Sequence, residues 1–172
     1  MREIYLLRHG EKDAAGTLTE RGKQAAEAMR STLPDFVRVI SSDSDRTILT
    51  AKLLTGEDPH IDRRAAYATT SSAISNEISA LVQEHNISFL DAARLYDDPE
   101  VLRGIDEQAQ ELNAMIDELL DRLGEGEKAL IVSHDLTIAP AMGLRGMSAE
   151  SIDPLGGYII SAGNETPSVR RY

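Results

Sequence analysis

The chain contains no cysteine, which excludes a disulfide framework, a thiolate metal site and a cysteine nucleophile. It is also short of positive charge. Eighteen Lys and Arg face 29 Asp and Glu, a formal net charge of −11, so the average surface repels nucleic-acid backbones and anionic lipid headgroups. Neither nucleic acid nor membrane is expected as a partner. Long apolar runs are missing as well. The run Ile4-Tyr5-Leu6-Leu7 comes straight after Met1-Arg2-Glu3 and is too short for a signal peptide or a membrane span. The chain therefore reads as a cytoplasmic protein. No internal repeat, low-complexity block or interdomain linker interrupts its 172 residues, a length that suits one domain spanning 1–172.

What is present is an alternation of strand and helix signals. Residues 4–7 form an apolar run that ends in a charged cluster, as a buried strand feeding a loop does. Thr17-Leu18-Thr19-Glu20 supplies helix-start chemistry, and Ala25, Ala26, Met29 and Leu33 follow at helical spacing up to Pro34. A second strand is predicted at 37–40. Capping residues at 41–45 then open a helix with Arg46 in its first turn. The stretch 57–101 reads as a variable region, with helices suggested by Ile74, Ile78, Leu81 and Val82 and again by Phe89, Leu90 and Ala93. A long amphipathic stripe runs from Ile105 to Leu123 and stops at Gly124-Glu125-Gly126. Ala129-Leu130-Ile131-Val132 is the best strand signal and leads into Ser133-His134-Asp135. A last strand is expected at 157–160, and 163–172 is expected to be a loose tail. The pattern implies an α/β fold, a three-layer α/β/α sandwich with a mostly parallel central sheet, whose ligands bind beyond the carboxyl ends of the strands.

The charged clusters at Arg8-His9, at 42–46 and at His134 all follow strands, so one pocket can gather them. A neutral imidazole carries a phosphoryl group covalently and splits one hard step into two; His9 is placed for that. A phosphoryl group in transfer spreads charge over its oxygens and needs fixed donors around it. The planar forks of Arg8 and Arg46 suit the task, and Arg46 sits near a helix N-terminus, where free amides favour an anion. Taken singly, Arg46 reads more often as a surface ion-pair partner and His134 as a structural histidine. Their combination is what points to a site.

Leu7-Arg8-His9-Gly10-Glu11 after the first strand resembles the signature of the histidine phosphatase superfamily, which includes phosphoglycerate mutases, phosphohistidine phosphatases and histidine acid phosphatases. Leu18-Thr19-Glu20-Arg21-Gly22-Lys23-Gln24-Ala25-Ala26 is similar to that family's first helix, residues 40–51 to its second arginine motif, and 130–135 to its second histidine motif. The match covers most of 1–56 and 102–145. The resemblance implies a phosphoglycerate mutase-like fold, His9 as the phosphorylated nucleophile, and Arg8, Arg46 and His134 around the phosphate. It implies two candidates for the proton-carrying acid: Asp135, by the pattern of the acid phosphatase branch, and Glu77, by that of the mutase-like branch. Asp135 is taken first and Glu77 as the alternative.

Other chemistries fit less well. Side chains at successive strand-end positions point to opposite faces, so Ser133-His134-Asp135 is not a serine-hydrolase relay. There is no dense metal-ligand motif and no nucleotide P-loop, and neither metal nor cofactor is expected. The expectation is a phosphatase for phosphomonoesters or phosphoamides, acting on a small phosphorylated metabolite or a phosphorylated protein. The alternatives are a mutase-like phosphotransferase or a catalytically silent phosphate-binding module. Nothing in the sequence sets the oligomeric state.

Overall fold

In the computed structural model, which describes residues 1–67, 72–163 and 167–172, the four runs expected as strands form strands and two short ones join them to make six. These are β1 (Arg2–Arg8), β2 (Arg38–Ser41), β3 (His60–Ile61), β4 (Lys128–Ser133), β5 (Gly157–Ala162) and β6 (Ser168–Arg171). They form one sheet in the order β3-β2-β4-β1-β5-β6. The pairs β1–β4, β2–β4 and β2–β3 are parallel, while β5 runs antiparallel to both β1 and β6. Only β5 is reversed, so the sheet is mostly parallel, as expected.

The helices are α1 (Glu20–Met29), α2 (Asp45–Thr55), α3 (Ser72–His85), α4 (Phe89–Tyr96), α5 (Pro99–Arg122) and α6 (Asp135–Leu144). Their placement follows from the two-residue period of the strands. Tyr5 and Leu7 of β1, with Leu130 and Val132 of β4, face one side and pack on Ala26 of α1 and Ala51 and Leu54 of α2. Ile4 and Leu6, with Ala129 and Ile131, face the other and meet Leu112 and Ile116 of α5 and Ile138 and Met142 of α6. Burial on both faces makes the three-layer sandwich. A fully buried leucine such as Leu6 contributes roughly 1.5–3 kcal/mol over an exposed one.

Two helix starts matter for the site. Thr19 caps α1, its Oγ1 accepting the Gly22 N–H at 3.0 Å, and Ser44 caps α2 toward Thr47. Gly22 is required by a close approach: a Cβ there would lie 2.4 Å from the Glu11 carbonyl oxygen, so only glycine lets α1 pack against the loop after β1.

The structure departs from expectation at the C-terminus. The tail expected to be loose carries β6, four residues antiparallel to β5; pairing along a strand edge needs backbone groups rather than apolar side chains, which is why the polar composition misled. Asn164 of the expected Gly163-Asn164 turn lies outside the described residues. In 57–101, α3 and α4 lie where helices were suggested, and the two-residue β3 precedes them.

Candidate active site

The carboxyl ends of β1, β2 and β4 converge on a cavity of about 520 Å³ lined by Arg8, His9, Lys12, Arg46, His134 and Asp135, with Tyr67, Phe89, Val82 and Leu136 as its apolar wall. His9 follows β1, and its backbone N–H donates to the Ser133 carbonyl at 3.1 Å. The Thr50 hydroxyl couples two of the clusters, accepting the Gly10 N–H at 3.1 Å and donating to the Arg46 carbonyl at 2.6 Å.

The imidazole of His9 is buried, and its Nδ1 lies 2.7 Å from the Gly10 carbonyl oxygen. A carbonyl only accepts, so Nδ1 carries the proton and Nε2 keeps a lone pair. Arg46 Nε donates to that Nε2 at 3.2 Å. The other end of the guanidinium, Nη2, lies 3.2 Å from Nδ1 of His134. Since arginine has no acceptor, His134 accepts there and bears its proton on Nε2, which donates to Ser42 Oγ at 2.9 Å. Ser42 passes its proton toward Thr47 Oγ1 at 2.6 Å, and Thr47 donates to the Ser44 carbonyl at 2.8 Å. One guanidinium thus bridges two imidazoles whose ring centroids are 5.3 Å apart.

Electrostatics fix the charge states. Burial foremost, then Arg46, Arg8 and Lys12, hold the His9 pKa down to about 4, against the opposing pull of the Gly10 carbonyl. His134 is lowered further by burial, by Arg46 and by the neighbouring His9. Both rings are neutral near pH 7, the form in which an imidazole is a nucleophile. Lys12 lines the cavity without a hydrogen-bond partner among the described residues; burial and the two arginines lower its pKa. Gly16, at φ 87°, brings the loop after β1 over Arg46: a Cβ there would be 3.6 Å from Nη1.

Arg8 donates through Nη1 to the Ile152 carbonyl, while its buried Nε finds no acceptor among the described residues. Asp135 begins α6 and pins the same loop from the other side. Its Oδ1 accepts the Ile152 N–H and its Oδ2 the Ser151 hydroxyl, both at 2.9 Å, with Arg8 Nη1 4.0 Å from Oδ2. Among the described residues lining the cavity, Asp135 is the one carboxylate. Glu77 is exposed on α3 and takes a hydrogen bond from Tyr96, away from the cavity lining. No group of three His, Asp or Glu side chains among the described residues is arranged to hold a metal. Nor is any described helix long and apolar enough to cross a membrane.

The structure therefore gathers Arg8, His9, Arg46, His134 and Asp135 and leaves Glu77 outside. Sequence reading missed Lys12, Thr50 and Tyr67, and placed Ser42 in the pocket cluster without a partner. Lys12 stands two residues after Gly10, so its position was a signal; the others depend on how separate loops meet.

The family model of the histidine phosphatase superfamily (branch 1) matches residues 4–157. No curated protein matches the sequence. Among solved structures, a phosphoglycerate mutase from Bacillus anthracis is similar at 17% identity, TM-score 0.74, over 99% of this chain and 92% of that one. A mycobacterial glucosyl-3-phosphoglycerate phosphatase is similar at 19% identity, TM-score 0.74, over 100% and 98%. The alpha-ribazole phosphatase of Shigella flexneri is similar at 21% identity, TM-score 0.70, over 98% and 95%.

Proposed function

The chain belongs to the histidine phosphatase superfamily, and on that footing we propose that His9 takes the phosphoryl group of a phosphomonoester or phosphoamide and passes it to water. The observation that carries this reading is the Arg46 guanidinium spanning His9 and His134 in a cavity at the ends of three strands. Nε2 of His9 attacks phosphorus as the bond to the leaving oxygen or nitrogen breaks. The ring becomes cationic, and the Gly10 carbonyl on Nδ1 is the group that offsets that charge. Arg8 and Arg46 hold the phosphoryl oxygens; His134 lies beside them and donates to an oxygen once its Nδ1, freed from Arg46, takes up a proton. Asp135 is the proton carrier: it gives a proton to the leaving atom, and in the second step it takes one from water as water attacks phosphorus, the P–N bond breaks and His9 regains its lone pair.

The substrate in this reading is a small phosphorylated metabolite. A cavity of about 520 Å³ is far larger than a phosphate and lies in the size range of small-molecule sites. Related structures carry phosphoserine or 3-phosphoglyceric acid, both bound to an Entamoeba histolytica phosphoserine phosphatase. Hydrolysis is preferred to mutase chemistry because the 57–101 stretch is short, and among its described residues Tyr67, Val82 and Phe89 supply one wall of the cavity. Action in the cytoplasm is part of the same proposal.

The test is rapid quench with p-nitrophenyl phosphate. Wild type gives an acid-labile phosphoenzyme and His9→Ala gives none; an adduct that survives in His9→Ala removes the reading. Anion binding without turnover on a broad phosphoester panel assigns a binding module instead.

A further inference from the structure

The segment after β3 turns toward the cavity, and it brings a tyrosine there rather than a carboxylate. Tyr67 stands edge-on to His134, ring centroids 5.6 Å apart, and edge-on to Phe89 on its other side at 6.0 Å. Its phenolic oxygen is within electrostatic reach of the Arg46 guanidinium, and it has no hydrogen-bond partner among the described residues.

The position is built. The turn at Arg63–Ala65 opens with the Asp62 side chain accepting the Arg64 N–H at 2.9 Å. Gln108 of α5 donates to the Arg63 and Arg64 carbonyls. The Ser133 hydroxyl donates to the Ala65 carbonyl at 2.7 Å and the Thr137 hydroxyl to the Ala66 carbonyl at 2.9 Å. The last two donors flank His134 in sequence, so one stretch of chain fixes both the imidazole and the phenol. A run of side-chain bonds to consecutive carbonyls holds the backbone of the residue before Tyr67, which leaves the ring little freedom.

We propose that the Tyr67 hydroxyl is a further catalytic group, a neutral donor to an oxygen of the phosphoryl group in transfer. The inference rests on the phosphoryl-transfer reading above. Burial pushes the Tyr67 phenol up to about 12, so the O–H is intact at any working pH. A donor held rigidly where charge grows acts without reorganising, and loss of one such donor costs on the order of 100- to 1000-fold in rate. Unlike Arg46, it brings no charge and does not draw the phosphate into a deep ground-state well.

Tyr67→Phe tests this, because it removes the oxygen and keeps the ring against His134 and Phe89. The expected result is a fall in kcat of roughly 10-fold or more, a KM within about twofold, and weaker vanadate inhibition with phosphate inhibition retained. Since a neutral phenol donates throughout, the loss is the same from about pH 5 to pH 9. Wild-type kcat in Tyr67→Phe overturns the proposal, as does a loss confined to one limb of the pH profile, which would mean the ring acts only by setting the titration of His134. Tyr67→Leu, which also removes the packing, should lose no more than a further few-fold. If wild type itself forms no His9 adduct, the tyrosine proposal falls together with the function; if wild type forms it and Tyr67→Phe is unimpaired, only the tyrosine proposal falls.

Discussion

Arg46 Nε lies 3.2 Å from Nε2 of His9, so in the free protein the arginine covers the lone pair of that ring nitrogen. Nη2 of the same guanidinium is equally close to His134. A phosphate dianion offers these N–H groups stronger, charge-assisted acceptors than an imidazole nitrogen. In the proposed reaction, substrate would therefore uncover its own nucleophile, the fork turning to the phosphoryl oxygens and releasing His9.

Arg46→Lys is expected to be nearly as damaging as loss of the residue. An ammonium keeps the charge but cannot span both rings or hold two oxygens in parallel. Steady-state kinetics should show kcat/KM down by about 100-fold or more, and a lysine variant within about threefold of wild type would contradict the clamp.

Stability should fall on acidification, before most carboxylates titrate. The folded His9 pKa, about 4, lies below its ordinary 6.5, so the unfolded chain binds the proton first. Stability is then highest above pH 6.5 and is lost as pH drops toward 4, by on the order of 3 kcal/mol for His9 alone. Thermal unfolding across that window checks it: His9→Gln should show a shallower decline than wild type. Parallel curves would mean the ring is not held neutral.

Thr50→Val is close to isosteric and leaves the buried Gly10 N–H without its acceptor. A loss of roughly 1–3 kcal/mol in denaturant unfolding is expected, with a lower kcat because residue 10 and Arg46 are no longer tied. Unchanged stability would show that the bridge contributes nothing.

The two carboxylates should separate cleanly. Asp135 lines the cavity and Glu77 does not, so Asp135→Asn is expected to lower kcat by about 100-fold or more for alkyl phosphates. The effect should be smaller for p-nitrophenyl phosphate, whose leaving group needs less protonation. Glu77→Gln should remain within about twofold. The reverse pattern would reassign the acid.

The strands and the residues at their ends were readable because local signals and global placement agree there. His9, Arg46 and His134 each follow an apolar run, and a parallel sheet delivers such positions to one edge. What escaped depends on tertiary contact. The helix α6 is buried along most of its length and contains Pro140, so it shows no amphipathic stripe. Tyr67 owes its place to the Ser133 and Thr137 hydroxyls, which hold the Ala65 and Ala66 carbonyls from 68 and 71 residues away, and no spacing rule encodes that. Glu77 was chosen by counting onward from the second arginine; on α3 it is Ser79 and Val82 that line the cavity.

Ser133 and His134 are adjacent, yet one reaches Ala65 and the other Arg46 and Ser42. The ionic half of the pocket is thereby welded to the sheet, whereas Val82 and Phe89 arrive on α3 and α4, peripheral pieces that join the frame mainly through side-chain packing. Reagent and recognition are thus separable parts. Replacing the α3–α4 hairpin with another of similar length would then be expected to retune which leaving groups fit without disturbing the histidine proposed to carry the phosphoryl group.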